Sequence, residues 1–199
     1  MSTLSVQTLA EPKFTAGSEP VQLDGSLQVW AGLSYGSASL FQYLVLSGRV
    51  LIASPEIMGL VWMAATAAFV LFGVVLKVGG DRTKLADAGV RRFRAVWGSL
   101  ILGAAVVIAA LIILLSKLGL ASSANAVVAP VALATYGIGW RVAAVLSRKA
   151  WPNFLALSCF VASPCLACLA GTPLQSLTYA VCLLAFAVLP GLYLLRQST

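Results

Sequence analysis

The sequence predicts an all-α, polytopic transmembrane helix bundle of six helices, or of five plus one interfacial helix. Composition is the first reason. The chain of 199 residues is 60% hydrophobic and only 10% charged, with a mean hydropathy of +0.97, whereas a soluble domain carries roughly 25% charged residues. Too little polar surface remains to coat a water-soluble globule. The second reason is the stretch Lys77 to Arg94, which sets Lys77, Arg82, Lys84, Arg91, Arg92 and Arg94 against only Asp81 and Asp87. Uncharged apolar runs flank it, Ile57 to Leu76 and Ala95 to Ser116. A basic loop between two such runs marks a cytoplasmic connection, because Lys and Arg near helix ends resist translocation.

Residues 1–25 are polar and mixed in charge, with Pro12 and Pro20. No basic segment runs directly into an apolar core there, so a short flexible cytoplasmic tail is expected and no cleaved signal peptide. Residues 26–199 form one domain, with no soluble module large enough to fold alone.

The first helix, about 26–47, is the least apolar. It contains Gln28, Gln42, several Ser and two Tyr, with Leu27, Trp30, Leu33, Leu40, Phe41, Leu44 and Val45 at helical spacing. Gly32, Ser34, Gly36 and Ser39 make a small-residue stripe suited to close packing inside a membrane. A surface-lying amphipathic helix is the alternative. The second helix, about 55–77, opens with Ser54 as cap, Pro55 in its first turn and Glu56 against the helix dipole. The third, about 93–117, has the most lipid-like sequence and is expected on the bundle exterior. The fourth, about 126–147, holds the Gly137-Ile138-Gly139 run and Arg141. The fifth and sixth, about 152–170 and 173–195, are joined by Gly171-Thr172-Pro173.

With six helices, Lys13, the basic loop, Arg148, Lys149 and Arg196 fall on one side, and only Arg49 and Lys117 on the other. The positive-inside rule then puts both termini in the cytoplasm, with a bacterial inner membrane as the expected location. The net charge of +7 is topology charge with a secondary pull on anionic lipid heads, through Arg82, Lys84, Arg91, Arg92 and Arg94, and does not signal nucleic acid. A faint echo pairs Tyr35-Gly36 with Tyr136-Gly137, each ahead of a Pro-started helix at Pro55 and Pro152. As an inverted repeat it would resemble the plan of many transporters.

Few groups carry chemistry. The chain has no His, which removes the commonest metal and haem ligand and the usual proton carrier near neutral pH. No catalytic set, cofactor motif or metal motif is present. Arg141 lies inside a helix, about 10 Å of helix from Arg148. It either contacts an anion or substrate or snorkels to the surface beside Trp140, Tyr136 and Gly139, which suit an interfacial anchor. Cys165 and Cys168 share one helix face and offer either a thiol pair or small packing residues. Glu56 reads as an interfacial carboxylate or a cation contact. Gln42, Asn125 and Gln175 read as interhelical hydrogen bonds or substrate contacts. Pro190-Gly191 permits a kink in the sixth helix.

Three functions fit this pattern. The first is a non-enzymatic accessory or scaffolding subunit, packed against itself or a larger membrane complex. The second is a small oligomeric transporter or channel with Arg141 on its path. The third is a membrane thiol redox protein using Cys165 and Cys168. The lipid bilayer is the partner common to all three.

Overall fold

The computed structural model describes residues 23, 25–52, 54, 56–79, 88–120 and 124–197, and among these it is all-helical. Six helices follow in order: α1 Ser26–Leu46, α2 Glu56–Gly79, α3 Ala88–Lys117, α4 Ala124–Ser147, α5 Trp151–Cys168 and α6 Pro173–Gln197. Within α6, Leu184–Val188 is a π-turn. The last five helices are long and apolar enough to cross a membrane. By composition this is an integral membrane protein.

Expected and observed boundaries differ mainly at α3, which begins at Ala88 rather than 93. Charged side chains lower apolarity but not helix propensity, since Arg is a good helix former. The apolar stretch therefore understates the helix. Arg91, Arg92 and Arg94 thus lie on helical backbone, with their side chains outside the described residues. The remainder of the basic loop, with Arg82 and Lys84, also lies outside them. At the other end of the chain, α5 stops at Cys168 and a turn containing Gly171 (φ 80°) carries it into α6.

The helix with two sequence readings, α1, packs lengthwise and antiparallel along α6. Its buried face is Gln28, Gly32, Ser34, Gly36, Ala38, Ser39 and Gln42, while Trp30, Leu33, Leu40 and Leu46 are exposed. Small and polar residues face inward and large apolar ones outward, so α1 turns a small-residue stripe to its neighbour. The approach is closest at the glycines. A Cβ added at Gly25 would collide with the Gly191 carbonyl oxygen, and one at Gly32 would fall 2.5 Å from Val188 Cγ2. Farther along, the Ser39 hydroxyl donates to the Ser176 carbonyl at 2.9 Å.

A second layer pairs α4 with α5, also antiparallel. Gly137 accepts the Phe160 ring against its backbone, and a Cβ there would fall 2.8 Å from that ring. The Ser163 hydroxyl donates to the Pro130 carbonyl at 2.8 Å. Two glycine-free faces would not allow this approach, so the Gly-Ile-Gly run is a packing device. Its second glycine, Gly139, receives the Trp97 indole of α3, with a Cβ placed 2.5 Å from the ring. The Tyr-Gly echo has no matching contacts: Gly36 faces Leu183 on α6, whereas Gly137 faces Phe160 on α5.

The two layers are joined by hydrogen bonds to carbonyls that prolines leave free. Proline has no N–H to give the carbonyl four residues earlier. Pro190 thereby frees the Phe186 carbonyl in α6, and the Trp140 indole N–H of α4 donates to it at 2.9 Å. Pro130 frees the Ala126 carbonyl in α4, and the Gln175 amide of α6 donates to it at 2.8 Å. Each helix supplies the donor that the other lacks. Trp140 is accordingly fully buried, in an aromatic run of Phe93, Trp97, Tyr136, Trp140, Trp151 and Tyr193. It is a core residue and not the interfacial anchor expected from sequence.

Against this four-helix body, α2 packs on α1 and α3 packs on α4. Most of both helices faces outward, as expected for α3: of the described side chains only Phe93 and Trp97 are buried in α3, and only Ala65 and Phe69 in α2. Gly25 beside Gly191 and Lys149 beside Gln197 (3.4 Å) bring the start of α1, the α4–α5 turn and the end of α6 together. They form the near end of the bundle, and the opposite end is the far end.

Candidate functional site

Because α2 and α3 each lean on a different layer, they splay apart. Between them runs a cleft of about 1440 Å³, floored by α1, α4 and α6. It is open, since Thr66, Ile101, Ala105 and Ile112 on its walls are exposed. Its α1 edge extends from Leu27 to Leu46, about 28 Å at 1.5 Å per residue, close to the ~30 Å thickness of a bilayer's hydrocarbon core.

The α3 wall is aliphatic, from Leu100 and Ala104 to Ile108 and Ile112. The floor carries neutral polar groups along its length: Gln28, Tyr35, Ser39, Gln42, Tyr136, Gln175, Ser176 and Tyr179. No Asp, Glu, Lys or Arg is among its described lining residues. An uncharged lining disfavours an ionised occupant, whose charge would be buried without a partner.

The polar groups fall into two sets. Toward the far end they are engaged. Trp62 Nε1 of α2 donates to Gln42 Oε1 at 3.1 Å, Gln175 holds the Ala126 carbonyl, and Ser39 holds the Ser176 carbonyl. Gln42 and Gln175 are thus interhelical bonds and lining residues at once. The side chain of Asn125 lies outside the described residues.

Toward the near end the situation reverses. Both amide atoms of Gln28, the Trp97 indole nitrogen and the Tyr136 hydroxyl are buried and have no hydrogen-bond partner among the described residues. Gln28 is 2% and Trp97 5% exposed. They share one half of the cleft. Gln28 is the third residue of α1, one turn from the Gly25–Gly191 crossing. The Trp97 ring rests on Gly139, next to Trp140, whose indole reaches α6 only five residues before Gly191. The Trp97 and Tyr136 rings are 5.3 Å apart. Buried polar atoms normally find partners, and leaving one unpaired costs about 1–3 kcal/mol. Three such side chains, on α1, α3 and α4, border the cleft with hydrogen-bonding capacity left unfilled.

The remaining sequence candidates lie elsewhere. Arg141 is exposed, is absent from the cleft lining and bonds the Asn153 side chain at the start of α5. A path through the cleft would therefore bypass it. Glu56 is exposed at the start of α2, with the Ser54 hydroxyl bonded to its carboxylate. Cys165 and Cys168 are exposed free thiols on α5, while Cys159 and Cys182 are buried. Among the described residues no group of three or more His, Cys, Asp and Glu is arranged to hold a metal.

The sequence points to Gln42 as a functional candidate, but not to Gln28, Trp97 and Tyr136 as cleft groups. A Gln in the first turn of an apolar helix is the available signal. Which of its neighbours would leave it unpaired depends on packing that the sequence does not spell out. The chain matches no known family model, no curated protein and no solved structure.

Proposed function

We propose that this chain is a non-enzymatic integral membrane protein that holds an elongated, uncharged lipid in the cleft between α2 and α3. The observation that carries the reading is the cleft itself. It is nearly as long as a bilayer core is thick, aliphatic on one wall, and lined on its floor by amide, phenol, indole and hydroxyl groups without formal charge. Such groups orient a ligand by hydrogen bonding. A mouth between two splayed helices admits a molecule sideways from lipid, with no need for it to pass through water.

In this reading α1 is a sixth span, supported by its lengthwise packing on α6. Arg148, Lys149 and Arg196 lie at the near end with the flanks of the basic loop, whereas Arg49 and Lys117 lie at the far end. The positive-inside rule then assigns the near end and both termini to the cytoplasm. A protein that presents a lipid in this way serves as a carrier or as an accessory subunit beside a larger membrane complex.

The test is to fill the cleft. Ala105→Trp combined with Thr66→Trp narrows it from both walls, while Leu102→Trp adds the same bulk to the outer surface of α3. Native mass spectrometry of gently solubilised protein should show lipid adducts on the wild type and on Leu102→Trp, and their loss on the double variant. If the double variant instead sheds a co-purifying polypeptide while its lipid adducts persist, the cleft receives a partner's transmembrane helix and the lipid reading fails.

A further inference from the structure

We infer that the occupant is a neutral, carbonyl-bearing lipid, bound with its oxygens at Gln28, Trp97 and Tyr136 and its tail directed to the far end. This rests on the lipid reading above and specifies its chemistry and orientation.

Orientation follows from the two sets of polar groups. Gln42, Gln175 and Ser39 already have partners within the bundle. The orphaned groups of the cleft lining all lie in the near half. A ligand gains most hydrogen bonds with its polar end there and loses nothing by laying its tail past Ala105, Ile108 and Ile112.

Chemistry follows from counting donors. The Gln28 amide brings two N–H donors and one acceptor oxygen, the indole brings a donor only, and the phenol brings one of each. The site therefore lacks acceptors, and a ligand must supply them. Carbonyl oxygens do so without charge. A hydroxyl-only lipid brings a further donor with each acceptor oxygen, and a phosphate brings a charge that nothing in the described lining neutralises. Two lipid types carry neutral carbonyls on a long apolar tail, the acylglycerols and the long-chain quinones. Both present the chemistry these three side chains lack.

The experiment uses the full chain in nanodiscs of uncharged phosphatidylcholine, with dioleoylglycerol, a decyl-substituted benzoquinone and dioleoylphosphatidylglycerol as separate probes. Binding is measured by native mass spectrometry titration. The wild type should bind dioleoylglycerol or the quinone, whichever type the site takes, at least tenfold more tightly than the charged lipid. Gln28→Leu with Tyr136→Phe should lose that binding at least tenfold. Arg141→Gln, at an exposed position absent from the cleft lining, should change it less than threefold. Thermal unfolding without ligand provides the control. Removing orphaned polar atoms should leave the melting temperature equal or higher, so loss of binding cannot be ascribed to misfolding. If the double variant holds the neutral probe as tightly as the wild type does, the inference is overturned, as it is if the charged lipid binds as tightly as either neutral one. If wild-type protein binds none of the three, the lipid reading of the cleft falls as well.

Discussion

Trp140 and Phe186 are joined by a hydrogen bond that Pro190 makes necessary. The indole N–H of α4 takes the carbonyl that proline leaves without a donor in α6. In an apolar interior that oxygen has no water to turn to. One proline thereby fixes where a buried tryptophan must point and how two parallel helices register.

Replacing Trp140 by Phe should cost about 1–3 kcal/mol, from the orphaned carbonyl and in addition to any packing loss. Adding Pro190→Ala supplies an N–H within α6. In the Trp140→Phe background it should recover part of that cost, whereas in the wild type it should recover nothing. Thermal unfolding of the four proteins in one detergent measures the coupling, and additive effects would exclude the link.

Gln175→Leu should act similarly on the Ala126 carbonyl, by about 1–3 kcal/mol. Pro130→Ala is the rescuing change, because it restores a backbone N–H that can donate within α4. Gln175→Glu should do worse than Leu, since it replaces the donor with a second acceptor and adds a charge. Melting temperatures of the single and double variants decide the order.

The glycines divide sharply by environment. Gly191→Ala places a methyl group 2.7 Å from Val29 Cγ2 and 2.8 Å from the Gly25 carbonyl oxygen. Overpacking of this kind costs about 1–3 kcal/mol. Gly59→Ala and Gly103→Ala meet nothing within 4 Å and should stabilise α2 and α3 by up to about 1 kcal/mol through helix propensity. Unfolding curves of the single variants check both signs.

Thiol chemistry gives a separate check of the packing. In folded, solubilised protein a small maleimide should modify Cys165 and Cys168 and spare Cys159 and Cys182 until denaturant is added. Mass spectrometry of the product counts the adducts. Cys165→Ser with Cys168→Ser should leave stability within about 0.5 kcal/mol, as for other exposed positions.

Much of the scaffold is legible because it is written locally. Uninterrupted apolar runs and Pro or Gly punctuation locate six helices, and the Ser-Gly stripe of α1 identifies its buried face without reference to any neighbour. The exterior position of α3 follows from its near-uniform apolarity. Trp140 misleads because a tryptophan close to Arg141 resembles an interfacial residue. Only the position of Pro190 on another helix shows why it must be inside. The cleft is not legible for the same reason. It arises because α2 and α3 attach to different layers, a relation between elements distant in sequence. Gln28 and Gln42 look alike along the chain, yet Trp62 satisfies one and nothing within the described residues satisfies the other.

The glycine crossing of α1 and α6 has a consequence for biogenesis. Among the described helices, α1 is synthesised before its broadest mate, α6, with four others between them. Until that mate arrives, the face bearing Gln28, Ser34 and Gln42 has lipid or the translocation machinery as its neighbour. Nascent chains halted after α5 should therefore remain crosslinkable to insertion factors through α1, and release should coincide with synthesis of the segment around Gly191.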